Sequence, residues 1–190
     1  FVISGYLITT IIISEMDEGK FSIVNFYERR ARRILPALFF VMAASVPFAL
    51  LWMTPSQMKD FAQSFVAVSL FSSNLLFGAE SGYFSLASET KPFLHTWSLA
   101  VEEQYYLFFP IFIYFAWRLG KERVFWIIVS LFSLSLFVSE WGWRNMPTWN
   151  FYLAPTRAWE LLAGSIAAFI IHKHGIRSSN SLSALGILSI

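Results

Sequence analysis

The sequence predicts an all-α integral membrane protein, a polytopic bundle of transmembrane helices. Of its 190 residues 56% are hydrophobic, 19% are aromatic and only 14% are charged, richer in apolar groups than a soluble domain of this size. The apolar residues fall in blocks of about twenty, the length with which a helix crosses ~30 Å of hydrocarbon. Backbone polar groups in lipid require helices unless a barrel closes, and the ten-residue alternation of a membrane barrel is absent.

The blocks follow one another along the chain. Residues 1–13 read as the second half of a spanning helix, without the basic region or small-residue cleavage site of a signal peptide. The chain begins at Phe1 inside that apolar run and ends at Ile190 inside another, so a fragment truncated at both ends is expected. Residues 14–33 leave the membrane through SEMDEGK and return through an amphipathic stretch that carries Arg29, Arg30, Arg32 and Arg33, the densest charge cluster in the chain. Residues 34–53 form a clear span, with Pro36 near its first turn and Pro47 as a kink. Residues 61–78 are weaker, because Gln63, Ser64, Ser69, Ser72, Ser73 and Asn74 interrupt them.

The arginine cluster marks a cytoplasmic end by the positive-inside trend. Were 61–78 to cross fully, Arg118, Lys121 and Arg123 would fall outside, against that trend; if the segment dips in and returns, these residues, Lys173 and Arg177 all fall inside. A re-entrant or protein-shielded segment is therefore expected. Residues 79–93 form a polar loop, 94–117 a span, 118–123 a short basic turn and 124–139 another span. Residues 140–154 read as a loop whose Trp141, Trp143, Trp149 and Tyr152 belong to an interfacial aromatic belt. The last span, 155–171, opens on Pro155 at a first-turn position and ends at His172, Lys173 and His174, read as interfacial.

Several chemistries are excluded. Without cysteine there is no disulfide, no thiolate nucleophile and no cysteine zinc site, and His172 with His174 alone makes a weak metal case. A net charge of +2 is too small and too dispersed for nucleic acid, and no phosphate loop, nucleophile elbow or internal repeat is found.

What remains is KPFLHTWSLAVEEQYYLFFP at 91–110, which sets a histidine and two glutamates where a spanning helix should be apolar. Ionisable groups at membrane depth cost on the order of 2.5 kcal/mol or more and point to function. At 100° per residue His95, Ser98, Glu102 and Tyr106 share one stripe, and Glu103 points about a quarter-turn away. His95 and Glu102 lie ~10 Å apart along the axis, too far for a direct dyad. They bracket a reacting group, or each pairs with another helix. Arg157 and Glu160 share a helix face in the poorer orientation for the helix dipole, which leaves structural pairing and substrate binding both open. The arginine cluster is equally open between a lipid anchor and a phosphate site, since guanidinium forks grip phosphate oxygens.

FVISGYLIT at the start, FYERRARRILP at 26–36, HTWSLAVEEQYYLFFP at 95–110 and PTRAWELLAG at 155–164 together resemble the acyltransferase-3 family of bacterial membrane O-acyltransferases. GYFSLASETKPFLHTWSLAVEEQYY further resembles the subgroup in which a soluble SGNH-type domain follows the membrane domain. The resemblance implies one membrane acyltransferase domain over 1–190, in a multi-pass protein of the bacterial inner membrane. It implies transfer of an acyl group, commonly acetyl, from acyl-CoA to a hydroxyl of an envelope glycan such as lipopolysaccharide or peptidoglycan. Arg29, Arg30, Arg32 and Arg33 match the basic motif whose partners are coenzyme A phosphates. Trp97, Ser98, Gln104, Tyr106, Arg157 and Glu160 are the expected substrate contacts, and Ser4 and Gly5 match a Ser-Gly turn. Glu102 and His95 are the expected catalytic residues, Glu102 orienting an imidazole base and His95 serving as a second proton carrier or oxyanion donor. The family's leading base is a histidine ten residues after an arginine, on a helix that would precede Phe1, so the fragment alone is expected to be inactive. Two readings outside this class are a secondary transporter, which would show inverted repeats, and a scaffold without chemistry.

Overall fold

The computed structural model describes residues 1–80 and 91–175. Among them all regular structure is helical: α1 (Val2–Asp17), α2 (Ile23–Trp52), α3 (Pro55–Ser69), α4 (Ser73–Glu80), α5 (Thr96–Ala116), α6 (Lys121–Asn145), α7 (Pro147–Tyr152) and α8 (Ala154–His174), with a 3-10 turn at Trp117–Leu119 between α5 and α6. Two of these, α2 and α6, are long and apolar enough to cross a membrane. Both leave most of their apolar surface uncovered, including Phe39, Phe40, Leu51 and Trp52 on α2 and Trp126 and Phe137 on α6.

The centre of the molecule is the layer α1, α8, α6. Ile8, Ile12 and Ile13 pack with Leu162 and Phe169 of α8 and with Val124 and Ile128 of α6, and Phe109 and Ile113 of α5 close one side. The α1–α8 crossing is set by glycine. A Cβ on Gly5 would overlap the Leu161 carbonyl, and one on Gly164 would overlap the Val2 carbonyl and stand 2.6 Å from the Tyr6 nitrogen. Small residues let two helix backbones touch, the packing mode available where lipid offers no hydrophobic drive between helices. Thr9 and Ser165 hydroxyls meet at 2.7 Å beside this contact, and the Tyr105 hydroxyl of α5 lies 2.8 Å from Ser165.

Several elements differ from the sequence reading. The stretch 14–33 does turn at Gly19, which holds φ 67°, but the turn is short: α1 runs on to Asp17, and α2 begins at Ile23 with Ser22 accepting the Asn25 N–H, so the arginine cluster belongs to the same 30-residue helix as the span that follows. Pro36 accordingly lies in the helix interior, as does Pro47. Prolines survive inside apolar helices because neighbours satisfy the freed carbonyls. The weak block 61–78 is two helices, parted at residues 70–72 where Phe71 holds φ 51°. The stretch 140–154 is mostly helix, because α6 extends to Asn145 and α7 follows at once. There Tyr152 is buried, and its carbonyl accepts the Asn74 amide at 3.0 Å, so it belongs to the core and not to an aromatic belt. Pro155 does occupy the first turn of α8. Residues 81–90 of the expected polar loop, and Arg177, lie outside the described residues.

Three helix ends meet at one end of the bundle. Asp17 takes Lys121 from the start of α6 at 2.6 Å and His172 from the end of α8 at 2.8 Å, and Glu15 takes Arg29 of α2 at 2.6 Å. Arg29, Lys121 and His172 therefore share an end of the molecule. His172 is one partner of a three-way clasp, not simply an interfacial residue. Burial disfavours the Asp17 charge, but hydrogen bonds from Lys121 and His172, with their charges, outweigh it and hold the carboxyl below the usual range.

Two outcomes follow from this packing. Gly164→Val should lower the melting temperature of the detergent-solubilised protein by several degrees or abolish its accumulation, since a side chain driven into packed backbone costs ~1–3 kcal/mol or more. Because the Asp17 pKa is depressed on folding, its stabilisation is complete above the ordinary carboxylate value of 3.8 and lost as pH falls through the lower folded-state value. Acid melting curves should show that loss in the wild type, while Asp17→Asn should start less stable at neutral pH and lack that component.

Candidate functional site

The order of α5 turns its polar residues toward different neighbours, because successive side chains on a helix diverge by about 100°. Glu102 faces α1: its Oε1 accepts the Ser4 hydroxyl at 3.0 Å and its Oε2 accepts the Tyr106 hydroxyl at 3.1 Å. Ser4 immediately precedes the Gly5 contact, so the helix crossing that the glycines permit also delivers this hydroxyl. Tyr106 is buried one turn after Glu102, and the Arg30 guanidinium lies 3.8 Å over its ring. Ser4, Glu102, Tyr106 and Arg30 thus form one continuous polar chain from α1 through α5 to α2.

Glu103 faces the other way and lines a cavity between α2 and α5. Gln104 turns toward the α3–α4 break, where its amide donates to the Phe71 carbonyl and to Asn74 Oδ1, both at 2.9 Å. Asn74 is fully buried and completes this seam through Tyr152, while Thr96 reaches Ser73 at 3.0 Å. Phe71 keeps its positive φ, an arrangement that costs about 1–2 kcal/mol for a residue with a Cβ, because Gln104 satisfies the carbonyl exposed there.

A second group forms where the first turns of α5 and α8 approach α7. Arg157 stands 5.4 to 5.6 Å from the ring centroids of Phe1, Trp97 and Phe151, within cation–π range. Its Nε lies 3.0 Å from Glu160 Oε1, close enough for an ion pair but not aligned as a hydrogen bond, so the Nε–H remains unsatisfied. Both side chains are three-quarters or more withdrawn from solvent. Trp97 stacks closest on Phe151, at 4.6 Å. Phe1 and Ser4 sit within one turn of α1 and join this aromatic cage to the Glu102 chain.

The remaining sequence-predicted residues are not brought in. His95 precedes α5 as its N-cap, is exposed, and its imidazole has no hydrogen-bond partner among the described residues; Ser98 donates to the His95 carbonyl at 3.2 Å. His95 and Glu102 stay apart, as helix geometry requires. The arginines divide. Arg30 enters the polar chain, Arg29 and Arg32 are exposed and paired with Glu15 and Glu28, and Arg33 is exposed. Sequence reasoning noted Asn74 only as an interruption of 61–78 and not as the partner of Gln104, and it missed the Thr9–Ser165–Tyr105 link, since lone polar residues in apolar runs carry no spacing signal.

A helical fold with two helices long and apolar enough to cross a membrane, and with an intrahelical carboxylate held by hydroxyls, is the class defined so far. A family model described as an acyltransferase domain, acyltransferase-3, matches residues 1–190, and the chain belongs to this acyltransferase family. An uncharacterized protein of Haemophilus influenzae is 36% identical over 198 residues, covering 100% of this chain and 80% of that protein. The O-acetyltransferase OatA of Staphylococcus aureus is 34% identical over 174 residues, covering 90% of this chain. The aligned region is only 29% of the length of OatA. No solved structure matches the chain.

Tyr106→Phe tests the polar chain. It removes one of two donors to Glu102 while preserving shape, so the detergent-solubilised protein should lose no more than a few degrees in melting temperature, the scale of one hydrogen bond to a charged group.

Proposed function

We propose that the whole protein is a multi-pass O-acyltransferase of the bacterial inner membrane. It moves an acyl group, acetyl in the first instance, from acyl-CoA to a hydroxyl of an envelope glycan such as lipopolysaccharide or peptidoglycan. The observation that carries this reading is Glu102, an acid inside an apolar helix whose oxygens are fixed by Ser4 and Tyr106. Family membership and the likeness to a protein named as an O-acetyltransferase support it. The uncovered apolar faces of α2 and α6 suit lipid, and the common end shared by Arg29, Lys121 and His172 suits a cytoplasmic face with 61–78 re-entrant.

In this mechanism Arg29, Arg32 and Arg33 exchange surface carboxylates for the coenzyme phosphates, which their guanidinium forks match. The acceptor lies toward Trp97, Ser98, Arg157 and Glu160, where aromatic faces and a paired guanidinium offer stacking and hydrogen bonds to a sugar. The acceptor hydroxyl attacks the thioester carbonyl as an imidazole base of the whole protein takes its proton. Glu102, pre-oriented by its two donors, fixes that imidazole and stabilises its charged form. The tetrahedral intermediate then expels the coenzyme thiolate, which recovers the proton, and the new ester leaves on the glycan. His95, unpaired at the helix mouth, is placed to carry a proton or stabilise the oxyanion. Gln104 braces the wall of this chamber.

In the full-length protein Glu102→Gln should reduce glycan acylation at least 100-fold, the scale on which a group that orients a general base matters, and leave membrane abundance intact. Mass spectrometry of the envelope glycan reads the result, and acylation retained at the wild-type level would remove Glu102 from the mechanism.

A further inference from the structure

Helix α2 stands off from α5 along part of its length, and the gap is a cavity of about 440 Å³. Its α2 wall carries Arg30, its α5 wall carries Glu103, and the α3–α4 break contributes a third side. Between the two charges the lining is mostly apolar, with Ile34 and Leu35 on one side and Leu107 and Phe108 on the other, and Tyr27, Ser72 and Gln104 add the other polar groups of its wall. No hydrogen bond or ion pair joins Arg30 to Glu103 or to any other described residue; Arg30 Nε and Glu103 Oε1 are both buried without a partner. The guanidinium has only the Tyr106 ring beneath it.

Opposite charges held apart in such a cleft are costly, since each gives up water and feels the other only through space, with no hydrogen bond between them to offset the loss. The arrangement calls for a group that accepts on the α2 side and donates on the α5 side. A phosphate would satisfy Arg30 but confront Glu103, and an ammonium would do the reverse. A hydroxyl is too small to serve two walls, and a glycan needs many more hydrogen bonds than these apolar walls supply. A trans secondary amide fits, because its C=O and N–H point in opposite directions from one planar unit.

We propose that this cleft is the station for a secondary amide of the pantetheine arm of the acyl-CoA donor, with Arg30 donating to the amide carbonyl and Glu103 accepting the amide N–H. This rests on the reading of acyl-CoA as the donor. The arm is slender and mostly aliphatic between its amides, which suits the lining, and the volume is at the small end of ligand pockets, enough for an arm and not for a whole nucleotide. Tyr106 forms the partition: its ring supports Arg30 on the cleft side and its hydroxyl holds Glu102 on the other. The donor arm and the reacting centre are thereby registered by adjacent residues of one helix.

The test uses the full-length protein in detergent or nanodiscs, with acetyl-CoA as donor. Glu103→Leu and Arg30→Met should each raise KM for acetyl-CoA about tenfold, with kcat within about threefold and the acceptor KM unmoved, as loss of one charge-assisted hydrogen bond predicts. Glu103→Gln, which keeps an acceptor oxygen, should recover most of the loss. An acetyl-pantetheine analogue with ester oxygens in place of the amide nitrogens should bind the wild type about tenfold more weakly than acetyl-pantetheine itself, and this penalty should vanish in Glu103→Leu. Should Glu103→Leu fail to accumulate, the wild-type comparison of the two analogues decides alone. An unchanged donor KM in Glu103→Leu, or equal binding of the analogues, overturns the assignment while leaving acyl-CoA as donor. A rise in acceptor KM instead would move the amide to the sugar. Wild-type protein that fails to bind acetyl-CoA at all would overturn the donor reading and this one together.

Discussion

Everything in this molecule depends on two helix backbones being allowed to touch. Gly5 and Gly164 remove the side chains that would hold α1 and α8 apart, and the close crossing fixes what lies beside it. Ser4 arrives at Glu102, Thr9 arrives at Ser165, and the first turn of α8 carries Arg157 and Glu160 to the end of α1 where Phe1 and Trp97 wait. A carboxylate in an apolar helix needs donors from elsewhere to be tolerable. Here the nearest donor is delivered by backbone contact, not by a long flexible side chain, so its position carries little conformational freedom.

The second organising constraint is how loosely α2 is held. Its apolar flank is largely uncovered, and polar pins fasten its first half: Arg29 to Glu15, Tyr27 to the Leu107 carbonyl at 2.5 Å, and Arg30 over Tyr106. Farther along, Leu38 and Met42 pack with Val68 of α3 in a small separate cluster. A helix fastened at spaced points leaves room between them, which is why the cleft exists at the level of Arg30. The arginine motif thus does two jobs by position, with Arg30 turned inward and Arg32 and Arg33 left on the surface.

Much of this was legible in the residues. Apolar block length located the helices, the 100° step separated Glu102 from Glu103, and the distance from His95 to Glu102 was fixed by helix rise alone. Of the residues that the motifs singled out, Glu102, Tyr106 and Arg30 adjoin one another, whereas His95 stands apart from them. What was not legible were features that depend on partners distant in sequence. Nothing local in SEMDEGK says that Asp17 meets Lys121 and His172, and nothing in an apolar run marks Asn74 as the anchor of Gln104. The helical nature of 140–154 was hidden because tryptophans and glycine there read as interface and turn, whereas packing against α4 and α8 favours helix.

The Glu102–Glu103 pair has a further consequence, in the currency of heredity. Two adjacent acids serve different neighbours only because each sits at a fixed rotation about the α5 axis. Inserting or deleting a single residue upstream in that helix would turn Glu102, Glu103 and Tyr106 together by about 100°, taking Glu102 away from Ser4 of α1 and the Tyr106 ring away from Arg30 of α2. Substitution at the apolar positions of α5 changes packing by degrees, but a change of length there is all-or-none. The length of the helix ahead of Glu102, more than its apolar composition, sets which neighbour each acid meets.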